Sequence, residues 1–302
     1  MENEKYKSRV LEKASHTALM ATVYRFLATK DKRKQFRGPD NLAQVFLPPK
    51  AGFFLSFKFF RKFFIRKLHE KAPGTYEYVT ARTKFFDELF VNSLKEDIPQ
   101  IVLLGAGYDT RAFRFQEILG RTTIYEIDVP TTQNNKLKLL KRNRVTIPEN
   151  LTYVPVNFNT DNVEQTLLKA GYDPTKKTLF IWEGVTMYIS EEAINNTFSF
   201  VKNNSGMGSS IAFDYLYKSV ILGKCSYYGA RELAEVVKKK GEIFSFGIEE
   251  GKIDEFLLEK GFTHISHFTP NQFEEKYLYD DNRNFMGNIY GFACHVHAKL
   301  KY

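Results

Sequence analysis

The chain has 302 residues, room for two domains or one large one at about 150 residues each, and its 43% hydrophobic and 26% charged residues exclude a disordered or fibrous polymer. Lys and Arg number 44 against 35 Asp and Glu, a formal charge of +9. The two cysteines, Cys225 and Cys294, form neither a CxxC motif nor a disulfide framework, which fits a reducing, cytoplasmic setting.

Residues Met1 to Val10 are polar and charged, with no apolar run suited to a secretory signal, and no apolar stretch is long enough to predict a transmembrane helix. From Lys5 to Thr29 apolar residues recur at helical spacing (Val10, Ala14, Ala18, Leu19, Val23, Phe26, Leu27), predicting a first helix. Lys30 to Pro49 reads as a polar, turn-rich stretch broken by Gly38, Pro39, Pro48 and Pro49. From Ala51 to Leu68, Phe53, Phe57, Phe60 and Phe64 share one helical face, with Lys58, Lys62 and Arg66 roughly opposite and Phe59 and Phe63 blurring the division. A basic aromatic helix can lie on an anionic membrane surface. The commoner arrangement, and the one expected here, packs the Phe stripe on the body and solvates the charges. A third helix is predicted from Tyr76 to Ser93.

After Pro99 the pattern changes to short aliphatic runs alternating with helical segments, the signature of βαβ units and a parallel sheet. Predicted strands are Ile101–Leu104, Thr123–Ile127, Leu151–Val156, Thr178–Trp182, Ser210–Asp214, Thr263–Phe268 and Tyr290–Leu300. Between them lie predicted helices Arg111–Leu119, Thr131–Arg142, Val163–Lys169, Glu191–Val201 and Ile253–Lys260. The stretch 215–250 is long for a connection and carries a helical pattern from Ala230 to Lys240, as lids and substrate walls often do. The expected organisation is a helical cap over residues 1–95 and an α/β domain over 96–302 with an insertion at 215–250.

Ile101 to Arg111 reads as a buried strand, a tight Gly105-Ala106-Gly107 turn and a helix start, with Asp109 or Thr110 suited to cap that helix. The dinucleotide fingerprint asks for a third glycine where this chain has Thr110. The second strand ends in Tyr125-Glu-Ile-Asp-Val-Pro130. A carboxylate there can accept from both hydroxyls of an adenosine ribose, and Glu126 and Asp128 share a strand face, so spacing alone leaves both open. A nucleotide-like ligand follows, with NAD and S-adenosyl-L-methionine both open and the missing glycine favouring the latter.

Four blocks occur in order: Thr80-Ala-Arg-Thr-Lys-Phe-Phe-Asp87, Leu103-Leu-Gly-Ala-Gly-Tyr-Asp-Thr-Arg-Ala-Phe-Arg114, Tyr125-Glu-Ile-Asp-Val-Pro130 and Trp182-Glu-Gly-Val-Thr-Met-Tyr-Ile189. With Ser15-His-Thr-Ala18 and Pro73-Gly-Thr-Tyr-Glu-Tyr-Val79 ahead of them, they resemble the leucine carboxyl methyltransferase family from about residue 14 to the end. Within it the chain is similar to the bacterial S-adenosylmethionine-dependent methyltransferases and the polyketide O-methyltransferases. The resemblance implies a Rossmann-like class I methyltransferase fold, a seven-stranded sheet with the last strand antiparallel and the donor over the strands' carboxyl ends. It implies that Arg82 pairs with the donor's methionine carboxylate, that Gly105, Ala106 and Gly107 lie beneath the donor, that Asp128 holds the ribose and that Glu183 lines the methionine side. After the third strand the family carries Asp before an apolar residue, whereas this chain has Asn157-Phe158. Asn157 can still accept from the adenine amine and Phe158 can pack on the ring.

Methyl transfer from a sulfonium is an in-line displacement, so positioning is the main demand. A carboxylate acceptor is already ionised at neutral pH, whereas a phenol gains from a base. Tyr188 is the candidate to position an acceptor and Asp214 the one carboxylate nominated as base, although tyrosines more often pack and Asp214 also suits a cap. His264, His267, His295 and His297 fall on the last two predicted strands without the three or four convergent ligands that zinc requires, so no metal is expected. The sequence favours an S-adenosylmethionine-dependent O-methyltransferase acting on an apolar small molecule. The competing readings are a catalytically weak basic module on nucleic acid or a membrane surface, motivated by the charge and the Phe segment, and an NAD-dependent oxidoreductase. Most basic runs, such as Lys136–Arg144, are ordinary solvated helix faces.

Overall fold

The computed structural model describes residues 15–158, 160–239 and 242–301. The first part of the predicted N-terminal helix, residues 5–14, and position 240 lie outside them.

Helix α1 (His16–Thr29) starts at Ser15, whose hydroxyl accepts from the Ala18 amide at 3.1 Å. Helices α2 (Pro49–Ser56) and α3 (Lys58–Lys71) follow, then the long α4 (Thr75–Lys95). The basic Phe segment is therefore two helices and not one. Phe57, with φ −84° and ψ 131°, is extended backbone between them, and Arg61 reaches back to the Leu55 carbonyl at 3.1 Å, satisfying a helix end. The break overturns the expected packing. Phe64 and Leu68 turn inward, but Phe53, Phe54, Phe57, Phe59, Phe60 and Phe63 are exposed.

The sheet comprises β1 (Gln100–Leu104), β2 (Thr123–Asp128), β3 (Leu151–Pro155), β4 (Thr178–Trp182), β5 (Ser210–Leu216), β6 (Phe262–Phe268) and β7 (Ala293–Leu300) in the order β3-β2-β1-β4-β5-β7-β6. All neighbours run parallel except β7, which is antiparallel to both β5 and β6. Strands β1 and β4 are buried along their whole length, which is why they read as continuous apolar runs.

Helices α5 (Arg111–Arg114), α6 (Pro130–Arg142), α7 (Val163–Lys169) and α8 (Glu191–Asn203) connect the first five strands. The predicted helix Arg111–Leu119 is a single α-turn followed by a 3₁₀ turn at Gln116–Ile118, and the last strand begins at Ala293 and not at Tyr290. The insertion carries the short α9 (Lys218–Ile221) and α10 (Ala230–Lys239); α11 (Ile253–Lys260) precedes β6 and α12 (Pro270–Tyr277) follows it. Neither α9 nor α12 was expected. One contiguous core joins the cap to the sheet: Phe85, Phe86 and Phe90 of α4 pack in the same cluster as Val102, Trp182 and Phe213.

Candidate active site

The carboxyl ends of β1, β2 and β4 open onto a cavity of about 660 Å³, within the range of small-molecule sites. The cap, the sheet and the insertion all line it. Arg82, Gly105, Ala106, Gly107, Asp128, Asn157, Phe158, Glu183 and Tyr188 are in its walls, so nine residues singled out from sequence converge on one space. Asp214 is not among the lining residues.

The glycine turn is locked to β2. The Ala106 amide donates to the Ile127 carbonyl at 2.8 Å, and the Gly107 amide to Asp128 Oδ2 at 2.5 Å. Gly105 sits at φ +69°, and a Cβ there would fall 2.5 Å from a Val185 methyl, so position 105 tolerates no side chain on either count. Asp109 accepts from the Arg111 amide at 2.7 Å and so satisfies the first turn of α5, while the Thr110 hydroxyl accepts from Arg114 Nε at 2.8 Å. Thr110 thus has a structural use where a dinucleotide site would need a glycine.

Asp128 and Glu126 share a strand face in sequence but meet different surroundings. Glu126 is buried against α6, where Lys136 Nζ donates to it at 2.5 Å, and burial opposed by Lys136 pushes its carboxyl up to about 7. Asp128 faces the cavity, its second oxygen accepting from the Val129 amide at 2.7 Å. Burial pushes its carboxyl up to about 6, with the two amides opposing.

Arg82 projects from α4 between two carboxylates, with Nε on Glu183 Oε1 at 3.1 Å and Nη1 on Asp214 Oδ2 at 3.2 Å. Asp214 is fully buried behind it, accepting also from the Tyr78 hydroxyl at 2.8 Å and the Gly184 amide at 2.6 Å. It does not line the cavity, and its side chain contacts Arg82, Tyr78 and Gly184. Nor does it cap a helix. Burial raises the Asp214 carboxyl despite Arg82, whereas at Glu183 the cations Arg111 and Arg82 overcome burial and hold the carboxyl down to about 2. Gly184 makes the approach possible: at φ +69°, its Cβ would lie 2.8 Å from Arg82 Nη1.

Sequence reasoning gave no role to Arg111, which holds this arrangement together. It donates to Asp87 at 2.9 Å, to Glu183 at 2.5 Å and to Asp109. Arg114 completes a bidentate pair with Asp87, both contacts at 2.7 Å. Asp87, Arg111 and Arg114 all stood inside the four sequence blocks, so the signal was present but unassigned. Also unassigned were Arg25, which donates to the Tyr108 carbonyl at 2.6 Å, and Glu242 of the insertion, which accepts from the Thr17 hydroxyl of α1.

The wall contributed by α3 and the insertion is mainly apolar. Phe64 and Leu68 of α3, Leu233, Val236 and Val237 of α10, and Phe244 line the cavity there, with Tyr188 beside Phe244 at 5.4 Å between rings. Lys71 occupies the same face of α3 as Phe64 and Leu68, at helical spacing, and also lines the cavity. Among the described residues no histidine lines the cavity. The four histidines of the last strands serve elsewhere: His264 pairs with Asp254, His267 meets the Tyr215 hydroxyl, His297 meets Ser210, and His295 stacks on Phe273.

The model of the family described as leucine carboxyl methyltransferase matches residues 18–202. A Bacillus subtilis protein named "Putative S-adenosyl-L-methionine-dependent methyltransferase YktD" is 30% identical over 73% of this chain and 72% of its own. A Mycolicibacterium smegmatis protein named "Putative S-adenosyl-L-methionine-dependent methyltransferase" is 34% identical over 49% of this chain and 45% of its own. Among solved structures, a DUF574 family protein from Streptomyces avermitilis superposes with a TM-score of 0.59 at 13% identity, covering 97% of this chain and 100% of that one. A protein from Thermobifida fusca described as a putative methyltransferase superposes at 0.56 and 14% identity, covering 86% and 95%. These likenesses establish the Rossmann-like class I methyltransferase fold.

Proposed function

The chain belongs to the leucine carboxyl methyltransferase family and is an S-adenosyl-L-methionine-dependent methyltransferase, and from that premise we propose that it methylates an oxygen, carboxylate or hydroxyl, of an apolar small molecule. The observation that carries the reading is one cavity that combines charged residues at the strand ends with a mainly apolar wall from α3 and α10.

The residues suit the donor. A tight glycine-containing turn lines the cavity at the end of β1, a cavity-facing carboxylate stands at the end of β2, and the Arg82 guanidinium in the same cavity wall is fixed by Asp214. Arg82 holds the donor's carboxylate, oriented by Asp214 and Glu183. Asp128 accepts from the ribose hydroxyls, Gly105, Ala106 and Gly107 form the floor, and Asn157 and Phe158 flank the adenine. When bound, the donor supplies an electrophilic methyl on a sulfonium.

The protein's contribution is alignment at near-attack distance and exclusion of water. Tyr188, in the cavity wall beside Phe244, positions the acceptor oxygen. With Asp214 buried and no histidine among the described lining residues, a carboxylate acceptor is favoured over a phenol, because it is ionised at neutral pH without a base. Lys71, which lines the mainly apolar wall, supplies a cation to receive it. The NAD reading falls with the family.

The test is incubation of purified protein with methyl-labelled donor and a cell extract, followed by fractionation. Label is expected in small molecules extractable into organic solvent and released by mild base, as a methyl ester requires. A base-stable product would indicate an ether. Label confined to RNA or protein, or no binding of S-adenosylhomocysteine by calorimetry, would overturn the proposal.

A further inference from the structure

The α2–α3 hairpin carries a surface that the methyl-transfer reading does not use. Its six exposed phenylalanines are 42–76% accessible, and five of them form one connected group: Phe53 meets Phe54 at 5.6 Å and Phe57 at 5.2 Å, Phe54 meets Phe60 at 5.3 Å and Phe59 meets Phe60 at 5.7 Å between ring centroids. Single exposed apolar residues are ordinary, but a joined aromatic patch marks an interaction surface. From Lys50 to Lys71 seven Lys and Arg stand against one Glu, Glu70. Like charges crowd there: the neighbouring Lys32 and Lys62 push the Lys58 ammonium below its ordinary value. No described residue covers the patch.

We propose that this hairpin docks the enzyme on an anionic lipid bilayer, with the phenylalanines entering the boundary between headgroups and acyl chains and the Lys and Arg side chains meeting lipid phosphates. Charge complementarity selects this occupant. A second copy of the chain, packed face to face, would set one basic patch against another. Single-stranded nucleic acid would need flat ring faces for stacking, whereas these rings interlock edge to face at 73–77°.

Docking would also serve the site. Phe64 and Leu68, on the inner side of α3, belong to the mainly apolar wall of the cavity, and α3 packs against α10, which lines it too. Lipid on the outer side of α3 lies one helix away from the acceptor's space, so an apolar acceptor dissolved in the bilayer could enter beside the hairpin. This last step rests on the proposed function; the docking itself does not.

Flotation of the full chain with vesicles tests the docking. The protein is expected to float with phosphatidylcholine vesicles containing about one third phosphatidylglycerol, to stay behind with pure phosphatidylcholine, and to be released by high salt. Two double variants, Phe59→Ser with Phe63→Ser and Lys58→Glu with Lys62→Glu, should each lower partition about tenfold or more, with unchanged circular dichroism. These residues lie outside the cavity wall. Should the phenylalanine pair misfold, the surface lysine pair decides alone. The proposal is overturned if the wild type does not float with anionic vesicles, or if folded variants float as well as the wild type. It is equally overturned if the same substitutions only disperse a dimer or only weaken RNA binding. Flotation with no methyl transfer would sink the proposed function and leave the docking standing.

Discussion

Asp128 already has both oxygens engaged by backbone amides, Gly107 of the glycine turn after β1 at 2.5 Å and its own neighbour Val129 at 2.7 Å, and still faces the cavity. A carboxylate held this way is preorganised: it cannot rotate away, and its remaining lone pairs point where hydroxyl donors can reach. Burial raises it to about 6, so it is mostly ionised at neutral pH and titrates just below. Ribose hydroxyls donate to the charged form, so binding should be complete above that value and lost as pH falls through it. We expect S-adenosylhomocysteine affinity, measured by calorimetry, to be flat above pH 7 and to fall by up to about tenfold per unit below 6. Glu183, held down to about 2, stays charged throughout. Asp128→Asn should weaken binding about tenfold at pH 7 and flatten the profile; a slope that persists in this variant would assign the titration to another group. At this scale the sequence was partly legible. The turn glycines and the strand-end carboxylate each close a strand whose apolar run is itself legible, so local pattern exposes them although Gly107 and Asp128 stand 21 residues apart. Arg111 was not legible, because its partners Asp87 and Glu183 stand 24 and 72 residues away, and only the fold brings them together.

Between β2 and α6, the pair Glu126–Lys136 shows how elements are fixed to one another. Both side chains are almost fully buried, Lys136 with its ammonium 5.7 Å from the rings of both Phe113 and Tyr153. A buried pair contributes little net stability over an apolar substitute, but removing one member leaves an uncompensated charge. Lys136→Met should therefore lower unfolding free energy by about 3–5 kcal/mol in urea titrations at pH 7.5. Adding Glu126→Gln to that variant should recover part of the loss. The pH dependence has a definite sign. Glu126 is raised from 4.5 to about 7 by burial, so the folded state binds its proton more tightly than the unfolded state does. Its ionisation destabilises the fold as pH rises through that window, and without Lys136 the penalty grows, so the single variant should be closer to wild type at pH 5. Equal losses at both pH values would remove this account. The sheet and its connecting helices were legible because β1 and β4 are buried on both faces and leave unbroken apolar runs. The α2–α3 break was not, because the periodic Phe pattern continues across Phe57 and nothing in it marks the residue that turns extended.

Across the whole molecule, the cavity belongs to no single part. Arg82 comes from the cap and Asp128 from the sheet, while the insertion closes the space through Glu242 on Thr17 and the Ser245 amide on the Met187 carbonyl at 2.7 Å. The core is equally shared, since α4 buries Phe85, Phe86 and Phe90 in the cluster that holds the central strands. Packing runs across the boundary expected near residue 95, since residues on both sides share this cluster. Two separately stable domains would melt apart, and a ligand bound to one would shift only that transition. A shared core and a shared site predict a single calorimetric transition in which S-adenosylhomocysteine moves the whole peak. At a hundredfold excess over its Kd the ligand should add about 2.7 kcal/mol. For a chain of 302 residues that corresponds to a rise in Tm of about 4 °C. Two peaks, with only the hotter or the cooler one responding to ligand, would mean that the cap folds as its own unit and that Arg82 meets the donor across a movable boundary.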